Sequence, residues 1–338
     1  MKSILVTGAS GFIGRNVTNV LQKAGYQVRA QYRRAEPPEE LVKAAESGVE
    51  LVREDLVGLL KSDGYERLLD GIDAIVHIAA KVTTTGSWRL FREINIDVTR
   101  ELLHQAEISG CRRFVYLSSM AVHGFGPHSY SSETGPYYKL ISNYQKSKKA
   151  SENIVIGYPG DTPSTVVLRP GLVYGPGDTT TLKPAMDLLS TGKMPMIGGF
   201  NVYSCHVYID DFVQAVKLAL EAEGVQREIF DIAGDDMVTL RDAIFTAAKL
   251  MGKDQPKTNI HPRVAAAAGF VLDSVYKVLR IQSEPLISRY LAQQLSYNFH
   301  FSPEKAKKML GYAPRISWKE GLRKAVESYM LNNQKLLR

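Results

Sequence analysis

Three glycines set directly behind a short apolar run restrict this chain more than any other feature. Ser3-Ile4-Leu5-Val6 has the length and character of a buried strand. Thr7-Gly8-Ala9-Ser10-Gly11-Phe12-Ile13-Gly14 then leads into helical periodicity that runs to Lys23 and stops at Gly25. A strand that turns on glycines into a helix offers the free N–H groups and positive dipole end of that helix to an anion. Glycine permits the tight turn and lets the backbone come close to the ligand. The motif therefore predicts a dinucleotide site whose pyrophosphate is held around Gly8, Ser10, Gly11, Phe12, Ile13 and Gly14.

The rest of the first half alternates. Gln27 to Ala30, Val49 to Val52, Ala74 to Ile78, Arg113 to Leu117 and Thr165 to Leu168 read as strands. Glu39 to Ala45, Trp88 to Ala106 and Tyr144 to Ile156 read as helices. This alternation predicts an α/β chain of Rossmann type, with a doubly wound parallel sheet. After Arg169 come loops rich in Gly, Pro and Thr. Helical stretches follow at 209–221, 239–250, 262–279, 285–295 and 318–330. The expected division is a nucleotide-binding domain over 1–170 and a smaller, mainly helical substrate lobe over 171–338. Some segments of the lobe are expected to return to the main sheet. The lobe should sit at the C-terminal ends of the strands, where open α/β sheets bind ligands.

Composition removes other classes. With 338 residues, 44% apolar and 23% charged, the chain has the balance of a soluble globular protein. The net charge of +7 is scattered; Arg112-Arg113 and the Lys146, Lys148, Lys149 group are too short for a nucleic-acid tract, so no nucleic-acid partner is expected. Cys111 and Cys205 form no disulfide framework and lie in no metal-ligand spacing, which suggests a reducing cytoplasm and no metal. The first apolar run ends in the glycine turn rather than a cleavage site. No stretch approaches the roughly 20 apolar residues of a membrane span.

The chemistry is expected at Tyr144-Gln145-Lys146-Ser147-Lys148. Residues four apart share a helix face, so Tyr144 and Lys148 can enter one pocket. A free phenol, with a pKa near 10, exchanges protons poorly at neutral pH, and a nearby ammonium is expected to lower it. Ser119, at the end of the Arg113–Leu117 strand, can hold a substrate oxygen and polarise a carbonyl, with Ser118 as the runner-up.

The glycine turn, TGxxGFIG in pattern, resembles the opening of the extended short-chain dehydrogenase/reductase family. The resemblance covers nearly the whole chain, and it implies a nicotinamide cofactor. The spacing from Ser119 to Tyr144 and Lys148 matches that family's catalytic serine, tyrosine and lysine. The implied roles are proton transfer for Tyr144, charge control and a nicotinamide-ribose bond for Lys148, and substrate positioning for Ser119. Ala30-Gln31-Tyr32-Arg33-Arg34 resembles the strand ending of dihydroflavonol-reductase-like enzymes. It lacks the usual acid, and Arg33 can pair with a 2′-phosphate, which favours NADP over NAD. The resemblance further implies an adenine-edge contact at Asp55 and Leu56, and close cofactor approach at Ala79, Ala80 and Lys81. His77 in the same stretch is read as structural. Asn95 matches the family's helix asparagine, and Pro170, Gly171 and Val173 match the segment after the sixth strand.

Departures from the family bear on substrate. Met120-Ala121 stand where 4,6-dehydratases carry an acid–base pair. Gly171 and Ser204 stand where sugar-nucleotide epimerases carry asparagine and arginine. The lobe instead resembles the 3β-hydroxysteroid dehydrogenase and sterol-decarboxylase branch through His261-Pro262-Arg263, Glu284-Pro285-Leu286 and Phe301-Ser302-Pro303. The expected activity is alcohol–ketone interconversion on an apolar small molecule. A nucleotide-sugar epimerase or reductase and a non-catalytic NADP-binding sensor are the alternatives. The apolar 264–272 stretch could touch a membrane surface without spanning it. The family implies a homodimer formed through the 88–106 and 144–156 helices.

Overall fold

Seven short runs pair into one sheet. They are β1 (Ser3–Thr7), β2 (Gln27–Tyr32), β3 (Glu50–Arg53), β4 (Ala74–His77), β5 (Arg113–Leu117), β6 (Ser164–Pro170) and β7 (Glu228–Ile232). In the computed structural model, which describes residues 2–336 except 63, 280, 282–284 and 286, their order is β7-β6-β5-β4-β1-β2-β3. Every neighbouring pair is parallel. β4 and β5 are buried along their whole length, as strands covered on both faces must be.

Side chains alternate across the sheet. Ile4 and Val6 pack on one face with Val17 and Leu21 of α1 (Phe12–Lys23) and with Phe212 and Val216 of the Ile209–Glu221 helix. Leu5, Ile75 and Phe114 pack on the other with Leu102 and Leu103 of α2 (Val98–Ile108) and Val155 of α3 (Asn143–Ile156). The chain runs one way from β1 to β2 and the other way to β4, so a crevice opens at the C-terminal ends of β1 and β4.

Two features differ from the sequence reading. The helix expected from Trp88 is interrupted: a helical turn (Trp88–Phe91) passes into a π-helical segment (Arg92–Asp97) before α2 begins. Short strands also form outside the main sheet, all but one of them after β6. Val238–Thr239, Tyr203–Ser204, Phe299–Phe301 and His128–Ser131 form a four-stranded sheet, and Leu172–Tyr174 pairs with His206–Tyr208. Strands of two to four residues are too short to show a period of two. Of the helix expected at 285–295, Arg289–Gln294 is found; Glu284 and Leu286 lie outside the described residues.

The Pro262–Val278 helix has two unlike faces. Ala265 is buried, and at Gly269 a side chain would meet the Arg289 backbone at 2.6 Å. Val264, Phe270, Val271 and Val278 are exposed. No helix among the described residues is long and apolar enough to cross a membrane.

Candidate active site

At the crevice, Gly8 holds φ at +67°, and a Cβ there would lie 2.9 Å from the Ala79 Cα. A Cβ on Gly14 would lie 2.2 Å from the Gly8 carbonyl oxygen. Gly11 begins α1 with no side-chain cap and no acid in the first turn. The N–H groups of Phe12, Ile13 and Gly14 therefore have no intrahelical acceptor. Gln31, buried on β2, braces the turn: its Oε1 accepts from the Gly8 N–H at 2.9 Å and its Nε2 donates to the Glu54 carbonyl at 2.6 Å.

Thr7 and His77 tie β1 to β4. Thr7 Oγ1 accepts from the Ile78 and Ala79 N–H groups, each at 3.1 Å, so its own proton goes to His77 Nδ1 at 2.8 Å. His77 Nε2 then donates to Thr99 Oγ1 at 3.0 Å, and that hydroxyl donates to the Asn95 carbonyl at 2.6 Å. Burial, with the Lys148 charge second, lowers the His77 pKa to about 3, so the ring is a neutral bridge. The Asn95 side chain grips Lys81, accepting its N–H at 2.7 Å and donating to its carbonyl at 3.2 Å. The same amide donates to Ser147 Oγ on α3 at 2.8 Å. The π-helical turn thus joins the Ala79-Ala80-Lys81 segment to the helix of Tyr144.

The start of α3 is fixed twice. Ser142 and Gln145 form a reciprocal cap, and Gln145 Nε2 donates to the Ala121 carbonyl at 3.1 Å. Ala121 lies in the Met120–His123 turn, and its N–H is capped by Ser119 Oγ at 3.2 Å. Ser119 and Tyr144 meet there. Burial raises the Tyr144 pKa above 10, and the hydrogen bond with Ser119 works against that rise. The lowering expected from Lys148 is not found. The Lys148 ammonium donates to the Leu117 carbonyl and sits 4.3 Å above the Tyr116 ring. Burial brings its own pKa down to about 7, against the opposing charge of Glu152. Ser118 points elsewhere, donating to Glu152 at 2.9 Å.

The remaining expected residues are spread along the crevice. Arg33 is exposed just past β2 and has no ion pair or hydrogen bond among the described residues. Asp55, also exposed, caps the Leu56–Leu59 helix by accepting the Val57 N–H at 3.2 Å, and Leu56 is buried. Pro170 ends β6 opposite Ile232, and Val173 pairs with Val207. At Gly171 a Cβ would lie 2.5 Å from the Cys205 carbonyl oxygen, so no side chain fits. Both cysteines are buried, and burial raises Cys111 to about 11 and Cys205 to about 12.

Sequence reasoning missed a buried polar cluster beneath the site: Glu152, Arg169, His123 and Asp231. One signal was available, since Glu152 lies one helical turn beyond Lys148 on the same face.

Known proteins place this architecture. A 2-alkyl-3-oxoalkanoate reductase of Stenotrophomonas maltophilia is 28% identical, covering 95% of this chain and 97% of its own. A 3-beta-hydroxysteroid dehydrogenase of Mycolicibacterium neoaurum is 26% identical, covering 96% and 91%. The crystal structure of a UDP-glucuronic acid 4-epimerase from Bacillus cereus in complex with NAD shares the fold, with a TM-score of 0.77 at 24% identity over 98% of this chain and 99% of that one. The model of the NAD dependent epimerase/dehydratase family matches residues 4–233, from β1 through the Ser119, Tyr144 and Lys148 segments to the end of β7, and the chain belongs to that family.

Proposed function

We propose that this protein interconverts a secondary alcohol and a ketone on an apolar small molecule, with NADP(H) as the favoured cofactor. The observation that carries the reading is the junction of Ser119 and Tyr144, with Lys148 one turn further along α3, at the strand ends that border an uncapped glycine turn. The turn fits a dinucleotide: Gly8 and Gly14 leave no room for side chains, and the α1 N-terminus keeps free donors for a pyrophosphate.

A nicotinamide bound there would supply the hydride chemistry. The chain's part is proton control. A Tyr144 phenol raised by burial stays protonated at neutral pH and can donate to a ketone oxygen as it becomes an alcohol. Ser119 would hold that oxygen. Lys148, close to half-charged near pH 7, would meet the ribose and supply positive charge as the phenol gives up its proton.

Three findings support an apolar substrate over a nucleotide sugar. Gly171 has no space for a diphosphate-binding side chain. Met120 and Ala121 are buried and carry no acid or base, which speaks against the nucleotide-sugar 4,6-dehydratase reaction. The relatives named for oxoalkanoate and steroid chemistry are 28% and 26% identical, whereas the UDP-glucuronic acid 4-epimerase, at 24%, is a likeness of fold alone. Arg33, unpaired beside β2, supports NADP. Assays with β-keto acid, hydroxysteroid, UDP-sugar and GDP-sugar panels test the proposal. Cofactor-dependent turnover of the first two classes is expected; epimerisation of a nucleotide sugar would overturn the substrate reading. Tyr144→Phe should lower kcat by at least about 100-fold while NADPH binding, followed by fluorescence, stays within about twofold. Full turnover by that variant would overturn the mechanism.

A further inference from the structure

Arg169 is fully buried, and each of its five N–H groups has a partner. Nε and Nη2 form a fork on Glu152, at 2.8 and 2.6 Å. Nη2 also donates to the Tyr137 hydroxyl at 3.2 Å. Nη1 donates to His123 Nε2 at 2.9 Å and to the Glu133 carbonyl at 3.2 Å. Because His123 Nε2 accepts, its proton sits on Nδ1, which faces the Pro136 carbonyl at 3.3 Å. Glu152 is equally saturated: besides the fork it accepts from Lys149 Nζ at 2.8 Å and from Ser118 Oγ at 2.9 Å.

These bonds reach every segment that carries the proposed chemistry. Glu152 stands on α3, two turns beyond Tyr144 and one beyond Lys148. Ser118 adjoins Ser119. Arg169 adjoins Pro170 and Gly171 on β6. His123 closes the turn that Ser119 caps. We propose that the Glu152–Arg169 pair is a positioning device of the reaction: it locks these segments in register, and the Glu152 carboxylate, one turn along the same helix, favours the charged form of the buried Lys148. This rests on the alcohol–ketone reading above and adds two residues to it that touch neither substrate nor cofactor.

The groups around Lys148 leave Glu152 as the source of that charge. On its own helix stand Tyr144, a neutral phenol, and Glu152. From β5 it meets the Tyr116 ring and the Leu117 carbonyl, and from β4 the neutral His77. Arg169 and Lys149 are cations held on Glu152 itself. Burial pushes Glu152 up, but the bonds and charges of Arg169 and Lys149 prevail and hold it below the usual carboxylate range, so it is ionised at working pH. Asp231 lies behind Arg169, 3.8 Å from Nη1, and neither of its buried oxygens has a hydrogen bond among the described residues.

The test is Glu152→Gln, which keeps the shape and removes the charge. If the ammonium is the working form, kcat falls as pH rises through the Lys148 pKa, and the variant should move that fall down by about one pH unit. Its kcat at pH 8 should drop about ninefold, with NADPH affinity within about threefold of native. Arg169→Lys, which keeps both charges but loses the fork, should lower kcat while moving the fall by less than about 0.3 pH unit. A native kcat and an unmoved profile in Glu152→Gln would overturn the proposal. If Glu152→Gln does not fold, Glu152→Asp draws the charge back by one methylene and should move the fall about half as far; an unmoved profile there is equally fatal. The ¹⁵N titration of Lys148 Nζ separates this proposal from the one beneath it. A titration that shifts down in Glu152→Gln supports the coupling even in a protein that turns over no ketone, and an unshifted one removes it.

Discussion

Gly171 and Arg33 are two residues whose surroundings decide what the site accepts. At Gly171 the Cys205 carbonyl fills the place of a Cβ. Gly171→Asn should therefore overpack the site and cost about 1–3 kcal/mol, read as a lower Tm, and should not confer nucleotide-sugar binding. Arg33 is exposed, and no carboxylate pairs with it among the described residues. Arg33→Ser should raise KM for NADPH about tenfold and leave KM for NADH within about twofold; equal effects on both cofactors would mean that Arg33 does not read the 2′-phosphate. The glycine turn and the Tyr144–Lys148 spacing were legible in the sequence because each acts within a single turn of chain. The Arg169 cluster was not legible. Its bonds join residues 17, 36 and 46 positions apart, and only the folded sheet brings them together. The state of Tyr144 was also hidden, because burial raises it and the Ser119 hydrogen bond opposes that rise, while Lys148 turns to the Leu117 carbonyl; spacing reports none of these.

At the scale of elements, the sequence reading succeeded where a strand or helix was long enough to show its period. β1, β4, β5 and the helices packed on them follow from apolar runs of ordinary length. The π-helical turn at Arg92–Asp97 left no such mark, since the apolar positions continue through it. Its function is plain in the structure: Asn95 reaches from it to both Lys81 and Ser147. Asn95→Ala should leave the half-buried Lys81 N–H without its acceptor and take one donor from the buried Ser147 hydroxyl, at a cost of about 1–3 kcal/mol in stability. It should also loosen the Ala79-Ala80-Lys81 segment, so that cofactor affinity falls with Tm. Loss of stability at native cofactor affinity would restrict Asn95 to a purely architectural role.

For the whole molecule, pH is the sharpest probe. His77 and His128 are buried, and burial lowers them to about 3 and about 4. Each binds its proton less readily folded than unfolded, so stability is present above the unfolded pKa near 6.5 and is lost as pH falls toward the folded values. At pH 5 the loss is on the order of 2 kcal/mol for each ring, so Tm should be clearly lower at pH 5 than at pH 7. A flat Tm across that interval would show that both rings are already charged in the fold. The order of the sheet has a consequence for dissection of the chain. β7 comes from 228–232 but covers the outer side of β6, and Arg227 donates its backbone N–H to Thr165 at 2.7 Å. A fragment ending at residue 170 would keep its whole glycine turn yet leave Val166, Val167 and Leu168 as a bare, unpaired margin. Such a fragment should self-associate through that margin when expressed alone, and adding the missing half in trans should relieve it.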